Sequence, residues 1–239
     1  PIFAITVLGR LQLLTPLVHL VLVLGKELAI SARSDKRQQG LDRLLRVADD
    51  GCLRGHAVAG PDGIGLDLEE THLVAPGLIF NKNLSGLYRA TAENIADEQQ
   101  PDGMVPTTAP EYTVFAKQGY GVFDDSPEWG SASVLAEWSA YRAYGDVGEL
   151  QRSYPVMQQY VKFLEGKAKD GIVAYGLGDW FDIGPGGPGL GKQTTLGVTA
   201  TMMLYQDAVT MAKIAKLLDK PEDAAGYDAL AARVGAAFN

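Results

Sequence analysis

The chain has one cysteine, Cys52, in 239 residues. That excludes an intrachain disulfide framework and a thiolate zinc site. Its histidines, His19, His56 and His72, have no mutual spacing that suits one metal, so neither a metal nor a cofactor is expected. Basic residues are scarce: 21 Lys and Arg stand against 29 Asp and Glu, a net charge of −8. Phosphate-backbone binding runs on clustered Lys and Arg, so no nucleic-acid partner is expected. A bilayer span needs roughly 20 uninterrupted apolar residues. The opening run is broken by Arg10, Pro16, His19 and Lys26, and its best stretch, Leu11 to Leu24, falls short, so no membrane partner is expected either.

Aromatic residues are the most unevenly placed. There are 7 Phe, 3 Trp and 10 Tyr, and of these only Phe3 precedes Gly65. Charge divides at the same point: 8 basic and 6 acidic residues lie up to Gly65, against 13 and 23 after it. The stretch 1–66 has no aromatic anchors and no sustained periodicity, and it is read as an unassigned leader, non-native or disordered. Residues 67–239 are read as the informative domain. The chain begins at Pro1, and a piece of a longer protein is expected.

What the second part does have is helical periodicity. Leu84, Leu87, Tyr88, Thr91 and Ile95 recur at helical spacing, with Asn83 as the expected cap and Pro101-Asp102-Gly103 as the stop. A segment from Glu69 to Phe80 also reads helical, with Pro76 kinking it. In Ser131–Tyr144, the residues Val134, Leu135, Trp138 and Tyr141 share a face, and Gly145 takes the C-terminal capping position. Asp146 caps the next stripe, formed by Leu150, Tyr154, Met157, Val161 and Leu164, which Pro155 is expected to split into two helices. Leu196–Leu218 is a long helix. Pro221 opens the last one, with Ala224, Tyr227, Leu230, Val234 and Phe238 facing inward. Tight links at Gly145 and Lys220 alternate with long Gly/Pro-rich loops from Pro101 to Gly130 and Gly166 to Thr195. Successive helical hairpins would place those long loops on one rim, where function concentrates.

The glycine run from Gly186 to Lys192 has the spacing of a phosphate loop, but Gln193 stands where a Ser or Thr hydroxyl is needed. Pro185 and Pro188 also remove N–H donors from the supposed cradle, so nucleotide binding is not the reading. The aromatic–carboxylate loops carry more. Asp124-Asp125-Ser126-Pro127-Glu128-Trp129 leads into a helix, and Gly178-Asp179-Trp180-Phe181-Asp182 forms a second such cluster. An indole stacks on the C–H face of a sugar while carboxylates accept its hydroxyl protons. A Trp beside an Asp is also an ordinary packing unit, so both readings stand on residue types alone.

From Leu68 onward the text resembles the helical catalytic domain of bacterial α-L-rhamnosidases, inverting glycoside hydrolases built on an (α/α)6 barrel. The resemblance rests on Leu68 to Asn81, Pro101 to Pro106, Ala109 to Tyr112, Ser126 to Ala132, Tyr144-Gly145-Asp146, Gly178 to Asp182 with Gly184-Pro185, and Thr199-Ala200-Thr201. It implies an all-α fold, a partial (α/α)6 toroid of helical hairpins, and a rhamnose-containing glycoside or oligosaccharide as partner. It implies substrate-binding roles for Glu70, Trp129, Asp179 and Trp180. It identifies no catalytic residue: the family's general-acid position falls on Gly63, and its general base lies beyond Asn239. The chain alone is therefore expected to be inactive. A non-catalytic sugar-binding or scaffold protein, or a glycosidase of the same fold acting on another sugar, remain the alternatives.

Overall fold

A computed structural model describes residues 57–60, 63–80, 82–111, 114–182, 186 and 189–239, together with 35, 36 and 39. The chain divides into two compact units, Pro1–Gln39 and Gly40–Asn239, and all the elements below belong to the second. Most of the stretch 1–66, Cys52 included, and the aligned Tyr112, Gly184 and Pro185 lie outside the described residues.

Strands β1 (Ala57–Gly60) and β2 (Gly63–Asp67) form an antiparallel hairpin. The two-residue β3 (Thr108–Ala109) adds to β2, with Leu66 opposite Ala109 and Asp67 opposite Thr108. Six helices follow, apart from one short turn: α1 (Leu68–Leu78), α2 (Ser85–Glu98), the single-turn α3 (Pro127–Gly130), α4 (Ala132–Tyr144), α5 (Val147–Lys167), α6 (Leu196–Leu217) and α7 (Pro221–Phe238). α4 packs between α1 and α6. Outside them, α2 packs on α4, α5 lies against both α4 and α6, and α7 runs along α6. The result is two packed hairpins, α4–α5 and α6–α7, preceded by α1 and α2, which each pack on α4. None of the described helices is long and apolar enough to cross a membrane.

The core runs continuously through these layers. Leu87 and Ile95 of α2, Val134 of α4, Met157 and Leu164 of α5, Leu204 and Met211 of α6, and Val234 of α7 are all buried in it. Two capping expectations hold as geometry. Gly145 closes α4 in the left-handed region at φ 72°, and Asp146 starts α5 by accepting the Glu149 N–H at 3.0 Å. Asp146→Ala leaves that N–H without its acceptor. It is expected to lower stability by about 1 kcal/mol, read as a shift in urea midpoint at constant slope.

Several local expectations are corrected. Pro155 does not split α5, which runs unbroken from Val147 to Lys167. Both Pro155 and Gln151, whose carbonyl loses its helical partner, are exposed, so water satisfies the orphaned acceptor. Asn83 is not the cap of α2: the cap residue is Leu84, and the Asn83 side chain instead accepts the Ser85 N–H at 3.1 Å. On α4 the buried side is made by Ala132, Val134, Ala136, Glu137 and Ala140, while Leu135, Trp138 and Tyr141 are half-buried at its margins. A helix with neighbours on several sides is approached most closely over its small residues. Phe238 faces out, because the last turn of α7 from Ala236 onward is exposed throughout.

Candidate functional site

Each long loop connects an outer helix to the next central one, and the two loops meet. The first, after α2, holds β3 and two 3-10 turns, Phe115–Gln118 and Gly121–Phe123. The second joins α5 to α6. Tyr175 of the second donates its hydroxyl to Asp125 Oδ1 at 2.9 Å, and the Leu177 N–H donates to Ser126 Oγ at 3.0 Å. Lys167 Nζ lies 3.8 Å from Asp125 Oδ2. Phe123 meets the Trp180 indole edge-to-face at 5.1 Å between centroids.

Glu128 is the hub of this junction. It is buried, and its Oε2 accepts from Ser126 Oγ while Oε1 accepts from Thr199 Oγ1, both at 2.6 Å. One side chain therefore ties the first loop to the start of α6. Burial raises the Glu128 pKa, and the two hydroxyl donors oppose the shift. With both oxygens held by neighbours, Glu128 is a structural pin. His72 of α1 donates from Nε2 to the Glu128 carbonyl at 2.8 Å, and burial lowers its pKa, so it sits there neutral. Its partner is thus the first loop. Burial also raises the pKa of Asp125, opposed by the Tyr175 hydrogen bond.

The four residues given substrate roles by resemblance are placed differently. Trp180 is half-buried between Phe123 and Phe181, each 5.1 Å away between centroids. Asp179 beside it is exposed. Trp129, on α3, is 6% exposed and belongs to the core cluster. Glu70 lies on α1, and its side chain is outside the described residues. The loops that carry Trp129 and Trp180 converge, while the two indoles are not a stacked pair among the described rings. Gly63, which the resemblance alone sets at the acid position, is the first residue of β2 and pairs with Gly60. The segment entering α1 is thus a strand held to the first long loop through β3, with no side chain at that point.

Besides Asp124 and Glu128, the buried acids among the described residues are Glu98, Glu111, Glu137 and Asp207, and the last two lie on the central helices. Asp207 on α6 is fully buried, with Oδ2 accepting from Ser131 Oγ at 2.7 Å and Oδ1 without a hydrogen-bond partner. Glu137 on α4 accepts from Ser153 Oγ at 3.1 Å. Asp207 was legible as a carboxylate inside the apolar stripe Met203, Leu204, Ala208 and Met211, and Glu137 as one between Val134 and Tyr141, three and four residues away on the same helix.

Known proteins agree with this architecture. Residues 65–239 match the model of the bacterial alpha-L-rhamnosidase 6-hairpin glycosidase domain, and the chain belongs to that family. An alpha-L-rhamnosidase of Formosa agariphila is 25% identical over 170 residues, covering 71% of this chain and 18% of the relative. One from Alteromonas sp. (strain LOR) is 27% identical over 169 residues, covering 69% and 18%. Among solved structures, the alpha-L-rhamnosidase from Dictyoglumus thermophilum superposes with a TM-score of 0.66 at 32% identity, covering 74% of this chain and 19% of that one. The Streptomyces avermitilis alpha-L-rhamnosidase complexed with L-rhamnose gives 0.62 at 25% identity, covering 72% and 15%. The chain spans less than a fifth of the length of each of these relatives.

Proposed function

We propose that this chain is part of the catalytic domain of an inverting glycoside hydrolase that removes terminal α-L-rhamnose, and that it contributes substrate-binding loops rather than the reacting carboxyls. The observation that carries this reading is the convergence of the two aromatic–carboxylate loops at one rim, with Phe123 of the first against Trp180 of the second. Trp180 and the exposed Asp179 supply the apolar face and the acceptor that a sugar ring needs. Trp129 and Glu70 act on the same substrate in this reading.

Inversion needs a protonated acid at the leaving oxygen and a carboxylate activating water on the opposite face, roughly 6.5–9.5 Å away. Glu128 is bound on both oxygens, Asp125 is held by Tyr175 and Lys167, and Gly63 stands at the acid position. The 239-residue chain is therefore expected to give no turnover of an aryl α-L-rhamnoside. A longer protein that contains this region together with an acid and a base is expected to hydrolyse the same substrate with inversion, followed by NMR of the released sugar. Turnover by the short chain, or retention by the long one, would refute the reading.

A further inference from the structure

The aromatic residues at the rim form a row, not a pair. Tyr120 lies 6.5 Å from Phe123, Phe123 5.1 Å from Trp180, and Trp180 5.1 Å from Phe181, all near-perpendicular. Phe115 supports Phe123 from behind at 5.6 Å. The two inner rings are half-buried, while the two ends lie in solvent: Tyr120 is 59% exposed and Phe181 57%. Leaving two aromatic rings in water on adjoining loops forgoes the burial that aromatic side chains normally gain.

Phe181 is also held in place. Its φ of 65° is in the left-handed region, an outlier for a bulky residue. Its N–H donates to the Gly189 carbonyl at 2.9 Å, and the Asp182 carboxylate accepts the N–H groups of Lys192 and Gln193 at 2.7 and 2.8 Å. A ring presented to solvent on a fixed backbone loses little freedom when something stacks on it.

We propose that this row is a carbohydrate-stacking platform for pyranose rings beyond the terminal one, with Tyr120 and Phe181 as its two exposed stacking positions. The proposal rests on the sugar-hydrolase reading above and assigns the row a part of the substrate which that reading leaves open. Three features favour a sugar chain over a protein partner. Successive rings turn by 71° to 85°, so the row offers separate ring faces rather than one flat apolar patch. Its apolar surface is interleaved with exposed polar groups on the same segments, Lys117 and Asp179, which suit hydroxyls. And it includes Trp180, which the reading above assigns to the terminal sugar.

The test uses the full 239-residue chain with two probes, L-rhamnose and a rhamnose-terminated trisaccharide, by calorimetry and saturation-transfer NMR. The trisaccharide is expected to bind more tightly than rhamnose. Phe181→Ala and Tyr120→Ala are each expected to weaken trisaccharide binding about three- to tenfold, the worth of one aromatic contact, and Tyr120→Ala, one ring removed from Trp180, to do so with rhamnose affinity unchanged. Phe181→Tyr, which keeps a ring, is expected to restore it. Circular dichroism of each variant reports the fold independently. Rhamnose binding with no gain for the trisaccharide, or a Phe181→Ala variant that binds both as the parent does, overturns the platform and leaves the hydrolase reading standing. Binding of neither sugar counts against both. A concentration-dependent dimer dispersed by Phe181→Ala assigns the row to self-association and overturns the platform.

Discussion

Gly103→Ala is expected to destabilise this chain severely. Gly103 sits at φ 100°, in the loop that leaves α2, and a Cβ there would run into the backbone carbonyl of Gln159 on α5 and lie 3.2 Å from Phe163 Cβ. Neither obstacle is the far end of a flexible side chain. The left-handed backbone costs an alanine roughly 1–2 kcal/mol. Forcing the α2 loop off α5 adds about 1–3 kcal/mol more. The Gly103 N–H also donates to the Gln100 carbonyl, and its own carbonyl accepts from Gln99 Nε2, so the turn cannot shift without loss. The expected result is a fall of about 2–5 kcal/mol in unfolding free energy, a large share of a marginal domain's stability. Chemical denaturation of parent and variant checks it, and a midpoint unchanged within error would rule it out.

The second large effect concerns pH. Burial pushes the Glu137 carboxyl from 4.5 up to about 8, opposed by the Ser153 hydrogen bond and reinforced by the Glu149 charge. Arg152 and Asp146 at the start of α5 act on it in opposite directions. Between those two pH values the folded chain holds a proton that the unfolded chain has released. Stability on this account falls as pH rises from about 4.5 to about 8 and then levels. Glu137→Gln keeps the shape and cannot ionise. It is expected to match the parent near pH 5 and to exceed it by a few kcal/mol at pH 8.5. Asp207, whose burial raises its pKa in the same direction, leaves a residual slope in the variant. Parallel stability–pH curves for parent and Glu137→Gln would show that Glu137 does not carry the effect.

Both effects arise where tertiary packing overrides local sequence. The helices and the ends at Gly145, Asp146 and Pro221 were legible, because these residues act through their own backbones and immediate neighbours. Pro155 was misread because its cost depends on whether the Gln151 carbonyl meets water. Nothing in the local sequence states that. The α4 face was misread for a related reason: large residues mark a buried side where one neighbour packs, and alanines mark it where several do. At the rim, Asp179 and Trp180 stood out by composition. Their partner Phe123 lies far upstream in a stretch without periodicity, and only folding brings the two loops together. Gly103 was legible as a helix stop, while its closeness to Gln159 was not.

The Asp182 carboxylate grips the backbone at Lys192 and Gln193, and this has a consequence for how the rim can change. Asp182 and Lys192, ten residues apart in the sequence, are thereby held together and close the segment between them. Such a closed segment can gain or lose residues at little thermodynamic expense, since doubling a loop's length costs only about 0.6 kcal/mol. Its interior is therefore a place where relatives could diverge, and where a protein engineer could splice a new stretch, while the aromatic row at its base keeps its setting.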